Sequence, residues 1–257
     1  MSSGTNFYCT FWGCSSVVDL SPLRIWDVSK GTNFRAMFSR CSGLISLEPL
    51  KAWNTISGQN FAGMFELCFS LKDLSPLKNW IVEQGKEFNC MFYQCSGIKS
   101  LEPLRFWKVG NGVVFTSMFC ECSSLTSLEP LKEWNMERAE DMRFMFYMCS
   151  MKDLHGLENW KTKKATIMRG IFAKCSNLEN IDALKNWDTK NVRQIDYMFF
   201  QCPKLPHIHA IDNWNLKNCT IYKGLVGGTK MEKKDLPNNV KEKSDIFCKD
   251  KDWHWDD

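Results

Sequence analysis

The chain consists largely of tandem repeats of about 27 residues. Tryptophan recurs at intervals of 27 residues six times and 26 residues once, at Trp26, Trp53, Trp80, Trp107, Trp134, Trp160, Trp187 and Trp214. Cysteine recurs in step with it, at Cys14, Cys41, Cys68, Cys95, Cys122, Cys149, Cys175 and Cys202. One residue is missing between Cys149 and Trp160, and the register then recovers. Because one unit of this size cannot bury its own apolar side, whereas stacked units can, the period indicates a solenoid.

Each unit combines two spacings of apolar residues. In the clearest unit, apolar residues lie at i, i+3, i+4 and i+7, namely Phe34, Met37, Phe38 and Cys41. This spacing predicts a short helix, with Thr32 or Asn33 as its N-cap. Apolar residues then occur at every third position, which predicts a frequently turning chain with a short extended piece near Leu47–Leu50. Pro49 has no N–H, so any hydrogen-bonded ladder there is short or interrupted.

The repeated motif M-F-x-x-C-S-x-L-x-x-L, followed by P-L-x-x-W and a polar return, resembles the BspA-like leucine-rich-repeat surface proteins. The best copies are residues 91–98 and 118–125, and the resemblance covers about residues 4–226. A single copy is weak evidence, whereas tandem repetition makes the motif specific. The resemblance implies a leucine-rich-repeat-like solenoid with a role in adhesion or protein binding, and the family offers no catalytic residues to carry over.

The predicted fold is therefore of the α/β class, a leucine-rich-repeat-like solenoid of eight coils, each with a short helix and a short extended segment. Residues 1–226 form the predicted solenoid, in which the first unit is incomplete and lacks a polar cap. A bare apolar end of this kind predicts either that the chain is a fragment or that a partner covers this end, including through an end-to-end contact. Residues 227–257 are rich in Lys, Glu and Asp and are predicted to form a polar cap or a solvated tail. Residues 253–255, Trp-His-Trp, favour some docking of the end.

Composition argues against several functional classes. The 33 basic and 29 acidic residues give a net charge of only +4, so no nucleic acid partner is predicted. No apolar run approaches the length of a membrane span, so membrane insertion is not predicted. Residues 1–6 have neither the basic start nor the apolar stretch of a secretory signal.

The 13 cysteines are interpreted mainly as buried, reduced thiols that act as small apolar residues. Their odd total and the equivalence of the eight regularly spaced ones suit a reducing compartment better than a disulfide framework. The cytoplasm is therefore the favoured location, and the cell surface is the alternative if the native chain carries an export signal. Only one residue separates Cys120 from Cys122, which is too close for a typical zinc knuckle.

No catalytic, cofactor-binding or metal-binding residues are predicted, and no cofactor is expected. No Ser-His-Asp or Cys-His arrangement can be assigned, and Gly227 and Gly228 lack the pattern of a phosphate-binding loop. His207 and His209 offer two metal ligands from one segment, but two ligands alone do not make a site, and the residues are interpreted as surface histidines. A metal-assisted enzyme is therefore a remote alternative.

Two columns of charged residues, at equivalent positions of successive units, form a candidate partner-binding stripe. Its members are Arg24, Lys51, Lys78, Arg105, Lys132, Lys185, Glu48, Glu102 and Glu129. The basic column changes sign at Glu158 and Asp212. Two interpretations stay open: an edge that recognises a partner by its charge, and a solvated face whose neighbouring columns neutralise each other.

The leading functional hypothesis is a non-enzymatic repeat scaffold that mediates protein–protein interaction, with a protein partner that the sequence does not identify. A cell-surface adhesin of the BspA-like type is the alternative.

The thiol interpretation is tested by titration with a thiol-reactive dye. We expect few of the 13 thiols to react in the native protein and nearly all of them to react after denaturation, because burial shields the regularly spaced cysteines. Finding about four or more disulfides would reverse the interpretation and favour an oxidising compartment.

Overall fold

Equivalent backbone positions of successive coils pair with one another along the solenoid. The computed structural model describes residues 4–248. Single-residue parallel β-bridges join neighbouring coils and connect, in order, Asn6, Asn33, Asn60, Glu87, Val114, Asp141, Ile167, Gln194 and Ile221. The predicted repeat solenoid is therefore confirmed. Asn33, expected to be an N-cap, is a bridge residue whose Oδ1 accepts the N–H of Arg35 at 3.1 Å.

The segment that follows each bridge, residues 34–41 in the second coil, is a run of turns, and residues 4–248 contain no α-helix. The N–H of Phe34 donates to the Asn60 carbonyl of the next coil at 2.8 Å, whereas the N–H of Met37 donates to Phe34 within the coil at 3.2 Å. Ala36 and Arg40 have φ values of 53° and 63°, which interrupt a right-handed helix. The predicted short helix is wrong. Consecutive turns place apolar residues at the same i, i+3, i+4 and i+7 positions as a helix does, but every second N–H of the segment donates to the next coil. We call these residues the ladder segment.

The predicted extended piece near Leu47–Leu50 is also wrong, because this part of the coil forms a short 3-10 helix. Within the described residues the 3-10 helices are η1 (Ser21–Ile25), η2 (Glu48–Leu50), η3 (Ser75–Leu77), η4 (Glu102–Leu104), η5 (Glu129–Leu131), η6 (Asp182–Leu184), η7 (His209–Ile211) and η8 (Lys233–Asp235). A proline lies in the first turn of η1 to η5. Its fixed φ suits a helix start, and its missing N–H sacrifices no helical hydrogen bond there.

Identical side chains stack from coil to coil and form the core. The rings of Phe34 and Phe61 stack with centroids 5.5 Å apart, and those of Trp53 and Trp80 with centroids 6.2 Å apart. The tryptophans from the second to the eighth coil are buried, as expected. Each of their Nε1–H groups donates at 2.9–3.0 Å to a carbonyl 29 or 30 residues earlier, as Trp53 does to Leu23. Burial of the indole therefore leaves no unpaired donor.

The cysteine column also joins the coils. Seven of its eight thiols are buried and donate to a phenylalanine carbonyl of the preceding coil at 3.0–3.2 Å, as Cys68 does to Phe38. Burial raises the pKa of the Cys41 thiol to about 11 and that of Cys175 to about 12. These thiols therefore keep their protons at neutral pH and continue to donate. The expectation of buried thiols is confirmed, and the structure adds a hydrogen bond that a purely apolar residue lacks.

The sixth coil, which is one residue shorter, turns through Gly156 and forms no 3-10 helix. Gly156 has a φ of +103°, and a Cβ atom there would lie 2.3 Å from the Leu128 carbonyl oxygen. Only glycine fits so close an approach in this conformation. The Nε1–H of Trp160 still donates to Leu131 at 3.0 Å. The shortening is therefore confined to one side of the coil.

Residues 227–248 pack against the end of the repeats and bury Leu236, Val240 and Ile246. The Nδ2–H₂ group of Asn239 donates to the Ile211 carbonyl at 2.9 Å, in the manner of the tryptophan Nε1–H in the preceding coils. The boundary at residue 226 and the contact at the first repeat stay predictions, and residues 253–255 lie outside the described part of the chain.

Trp107 lies in the middle of the tryptophan column, between Trp80 and Trp134, and is 3% exposed. We expect Trp107→Ala to lower the free energy of unfolding by about 3–5 kcal/mol, as other large truncations in packed cores do. Because coils stabilise only their neighbours, the urea transition is also expected to split into two steps. Tryptophan fluorescence and limited proteolysis across the urea series measure both effects.

The control for this experiment is Lys132→Ala, whose side chain is half-exposed. It is expected to change the free energy of unfolding by no more than about 0.5 kcal/mol. Equal effects of the two substitutions would contradict a tryptophan column that holds the coils together.

Candidate functional site

Most charged residues of the candidate stripe are paired within their own coil. A glutamate at the start of η2, η4 and η5 pairs with the basic residue three positions later, with N–O distances of 3.3 Å for Glu48 and Lys51, 2.6 Å for Glu102 and Arg105, and 2.9 Å for Glu129 and Lys132. A 3-10 helix has three residues per turn, so side chains i and i+3 lie one above the other. Exposed pairs of this kind contribute little to stability.

Three bases of the stripe lack such a partner. Arg24, Lys78 and Lys185 have no carboxylate within 4.0 Å among residues 4–248. A serine, Ser21 or Ser75, occupies the position of the glutamate in the first and third coils. In these two coils the stripe has a base without the acid three residues earlier, whereas Lys185 follows Asp182 at this spacing without pairing with it.

Arg105 holds the Glu102 side chain in the best-defined pair of the stripe. Its Nε and Nη2 atoms both donate to the carboxylate, at 2.6 and 2.7 Å. These hydrogen bonds lower the pKa of Glu102 below its usual value and raise the pKa of Arg105. The bidentate geometry is typical of a strong arginine–carboxylate interaction, so neither charge is free to engage a ligand independently.

Large apolar side chains are exposed beside the stripe. Ile25 and Phe106 directly follow Arg24 and Arg105 and are 74% and 68% exposed. We call the surface formed by η1 to η7 and the two residues after each helix the 3-10 face. A groove of about 380 Å³ lies on it between η3 and η4, lined by Lys72, Lys78, Lys99, Glu102, Pro103 and Phe106 among others. Apolar atoms rimmed by charged groups are typical of protein-binding surfaces.

A second apolar cluster, not predicted from the sequence, lies outside the main core on the ladder segments. It contains Cys120, Phe144, Tyr147, Ala173, Tyr197 and Phe200. The ring of Phe144 lies where a Cβ atom on Gly170 would approach it to 2.3 Å, and Tyr197 lies over Gly224 in the same way, at 2.6 Å. An aromatic residue followed one repeat later by glycine is the sequence signal that reveals this packing. Because its rings are buried, the cluster joins the later coils to one another and presents little apolar surface to a binding partner.

A largely buried ion pair lies next to the rings of this aromatic cluster. Arg169 Nε lies 3.2 Å from Asp196 Oδ2. The guanidinium group lies between two rings, 5.7 Å from the centroid of Phe144 and 5.6 Å from that of Tyr197. Such cation–π contacts are favourable for arginine. Burial raises the pKa of Asp196 above its usual value, although the charge of Arg169 opposes this shift.

The return segments after each tryptophan, such as residues 54–59, use their polar side chains to join coils. The Nδ2–H₂ groups of Asn111, Asn191 and Asn218 each donate to a carbonyl of the preceding coil at 2.7 Å. Two shallow depressions of about 650 and 530 Å³ occur here, lined by acids, bases and asparagines together. Lys108 and Glu83 at the larger depression pair at 2.9 Å. This surface therefore carries charges of both signs, and several of its polar side chains bind other groups of the same surface.

The side chains considered as metal ligands have other neighbours. His207 and His209 are close, with ring centroids 5.3 Å apart, and His209 pairs with Asp212 at 3.3 Å. Cys120 lies in the aromatic cluster and Cys122 in the main core, so the two thiols are separated. Within residues 4–248 no three His, Cys, Asp or Glu side chains are grouped as a metal ion requires. In the same residues no helix has the length and apolar character needed to cross a membrane.

The pairing in the stripe is tested by measuring the pKa of Glu102 with carboxyl-carbon NMR. Arg105→Gln is expected to return this pKa to its usual range, because its lowering comes mainly from the Arg105 hydrogen bonds. A carboxyl pKa that is lower in the folded chain adds stability above the pKa of the unfolded chain, and this stability is lost as the pH falls through the folded value. Lys185→Gln, several coils away, is the control and should leave the Glu102 titration unchanged. An unchanged Glu102 titration in Arg105→Gln would contradict the pairing.

Solved structures with a similar course of the chain come from three bacteria. An internalin from Listeria monocytogenes is 11% identical, with a TM-score of 0.25, over 85% of this chain and 66% of that one. A leucine-rich repeat protein from Bacteroides ovatus is 16% identical, with a TM-score of 0.29, over 77% and 74%. A leucine-rich-repeat protein from Leptospira interrogans is 13% identical, with a TM-score of 0.19, over 81% and 63%. No curated protein matches the sequence.

A family described as "Mycoplasma protein of unknown function, DUF285" matches the chain in three overlapping segments, residues 5–128, 96–154 and 114–239. The segments together extend from residue 5 to residue 239 and so include all eight tryptophan repeats. The description names no activity. The chain therefore belongs to the DUF285 family.

Proposed function

We propose that this protein is a non-enzymatic repeat scaffold that binds a protein partner through its 3-10 face. The observation that carries the proposal is the exposure of Ile25 and Phe106 beside the charged stripe. A protein partner covers such side chains with apolar groups of its own, while the surrounding charges fix its orientation.

The ladder segments and the return segments form the other two surfaces of the solenoid, and several of their side chains join neighbouring coils. Two rings on the later ladder segments, Phe144 and Tyr197, are buried against glycines of the next coil. Asparagines on the return segments donate to carbonyls of the preceding coil, as Asn191 does to Lys163. On the 3-10 face, Arg24 and Lys78 have no carboxylate within 4.0 Å among residues 4–248.

The charge of the 3-10 face favours a protein over a nucleic acid. Glutamates lie beside the bases in several coils, as Glu102 and Glu129 lie beside Arg105 and Lys132. A continuous phosphate backbone along the basic column would meet these carboxylates, which opposes binding. A folded or extended protein segment can vary its own charges from one coil to the next.

A cell-surface adhesin is the second candidate, and the resemblance of the repeated M-F-x-x-C-S-x-L motif to the BspA-like surface proteins supports it. A cytoplasmic scaffold is supported instead by the 13 free cysteines, because such a number of reduced thiols suits a reducing compartment. Protease added to intact cells that produce the protein distinguishes the two. Digestion supports the adhesin, and protection supports the cytoplasmic scaffold.

The binding face is tested by replacing Phe106 with the photo-crosslinking residue p-benzoylphenylalanine in cells that naturally make the protein. A discrete protein adduct is expected on irradiation, because position 106 points to solvent on the proposed interface. The matched control places the same crosslinker at Ile56, which is exposed on a return segment. Adducts at position 56 alone, or at neither position, would contradict the proposed interface.

A further inference from the structure

We propose that the groove between η3 and η4 is a binding site for an acidic peptide segment of the protein partner, with one apolar side chain seated against Phe106. This inference rests on the proposed function and names the chemistry that the 3-10 face selects. It follows from three features of the groove: an excess of unpaired lysines, an exposed apolar wall, and one position at which the repeat departs from its own pattern.

The groove carries more free positive charge than negative charge. Lys72, Lys78 and Lys99 are exposed and have no carboxylate within 4.0 Å among residues 4–248. The groove also contains two acids. Asp73 accepts the N–H of Ser75 at 2.8 Å, and Glu102 is held by both nitrogen donors of Arg105. Lysines therefore outnumber acids in the groove, and the charge of Glu102 is largely offset by that of Arg105.

Ser75 is the residue that leaves the groove basic. The equivalent positions in the second, fourth and fifth coils are Glu48, Glu102 and Glu129, and each pairs with the base three residues later. With serine at this position, Lys78 loses the intramolecular partner that its equivalents have. The departure from the repeat thus frees a lysine at the place where the 3-10 face is concave.

The spacing of the lysines fits an extended peptide that runs across the coils. Lys72 and Lys99 are equivalent residues of adjacent coils, and the stacked rings of Phe61 and Phe88 in the same two coils have centroids 5.7 Å apart. In an extended segment, side chains i and i+2 lie about 6.6–6.8 Å apart on the same side. Carboxylates at alternate positions of the peptide therefore reach both lysines.

The wall of the groove adds an apolar contact that distinguishes a peptide from a simple polyanion. Phe106 is 68% exposed and lines the groove together with the half-buried Pro103 and the buried Leu74. A single leucine or phenylalanine among the acidic residues would cover this ring and remove it from water. A nucleic acid backbone offers charge but no aliphatic side chain at this position.

The proposal is tested by fluorescence anisotropy with a labelled peptide of alternating Asp and Glu around one central Leu. The full-length protein is expected to bind it, and binding should weaken as salt is added. Ser75→Glu restores the repeat's own pattern and supplies Lys78 with a partner, so it should weaken binding about tenfold without removing a lysine. Ser21→Glu is the matched control, since it adds the same charge at the equivalent position of the first coil and should leave binding unchanged.

A second comparison examines the apolar contact. Replacing the central Leu of the peptide by Ser should weaken binding to the wild-type protein, and Phe106→Ser should abolish this difference between the two peptides. Equal loss of binding in Ser75→Glu and Ser21→Glu would overturn the proposal, because charge alone would then explain the effect. Equal or tighter binding of a single-stranded oligonucleotide of the same charge, sensitive to Ser75→Glu, would overturn it in favour of a nucleic acid site.

The two proposals fail separately. If the crosslinker at position 106 captures a protein but the acidic peptide does not bind, the face is correct and the proposed ligand chemistry is wrong. If the peptide binds as described but no protein is captured, the groove is correct and the scaffold proposal is wrong.

Discussion

A backbone ladder sends every second N–H of the ladder segment to the next coil and thereby sets the position of each coil on its neighbour. Two of the outward donors, Ala36 and Arg40, lie in the left-handed region, and their N–H groups donate to Ala62 and Glu66 of the next coil. Once the ladder is formed, equivalent residues of neighbouring coils are held in register. Phenylalanine must then stack on phenylalanine and tryptophan on tryptophan, as Phe38 and Phe65 do with centroids 5.7 Å apart and nearly parallel rings. The repeat in the sequence therefore follows from the requirement that equivalent side chains of neighbouring coils stack on one another.

Two of the repeated residue types combine apolar burial with a hydrogen-bond donor. The indole of Trp80 donates to Leu50 and the thiol of Cys95 donates to Phe65, each 30 residues earlier in the chain. A turning backbone leaves carbonyl groups inside the solenoid that no ladder partner reaches, and a buried carbonyl without sufficient partners is unfavourable. Leucine at these positions would fill the space but leave the carbonyls less well satisfied. This accounts for tryptophan and cysteine as the most regular residues of the sequence.

The sequence was sufficient to predict the solenoid, its period and the burial of the Trp and Cys columns, because these follow from spacing alone. It was not sufficient for the local conformation, since the spacing of Phe34, Met37 and Phe38 is shared by a helix and by consecutive turns. The charged columns were predicted side by side, and the structure adds that Glu102 and Arg105 pair within one 3-10 helix. The aromatic cluster around Phe144 and Arg169 was missed, because it depends on large residues facing small ones in the next coil. Such complementarity between coils has no signature within a single unit.

The short sixth coil shows where this architecture tolerates a change of length. Gly156 absorbs the missing residue on the 3-10 face, while the bridge from Asp141 to Ile167 and the stacking of Phe146 on Phe172 continue across it. Each coil thus takes its position from its neighbour and not from the number of residues before it. The side of the solenoid that holds the fold together and the side that can be remodelled are physically separate. Insertions or deletions that change a recognition surface can therefore accumulate coil by coil without an error in register passing along the stack.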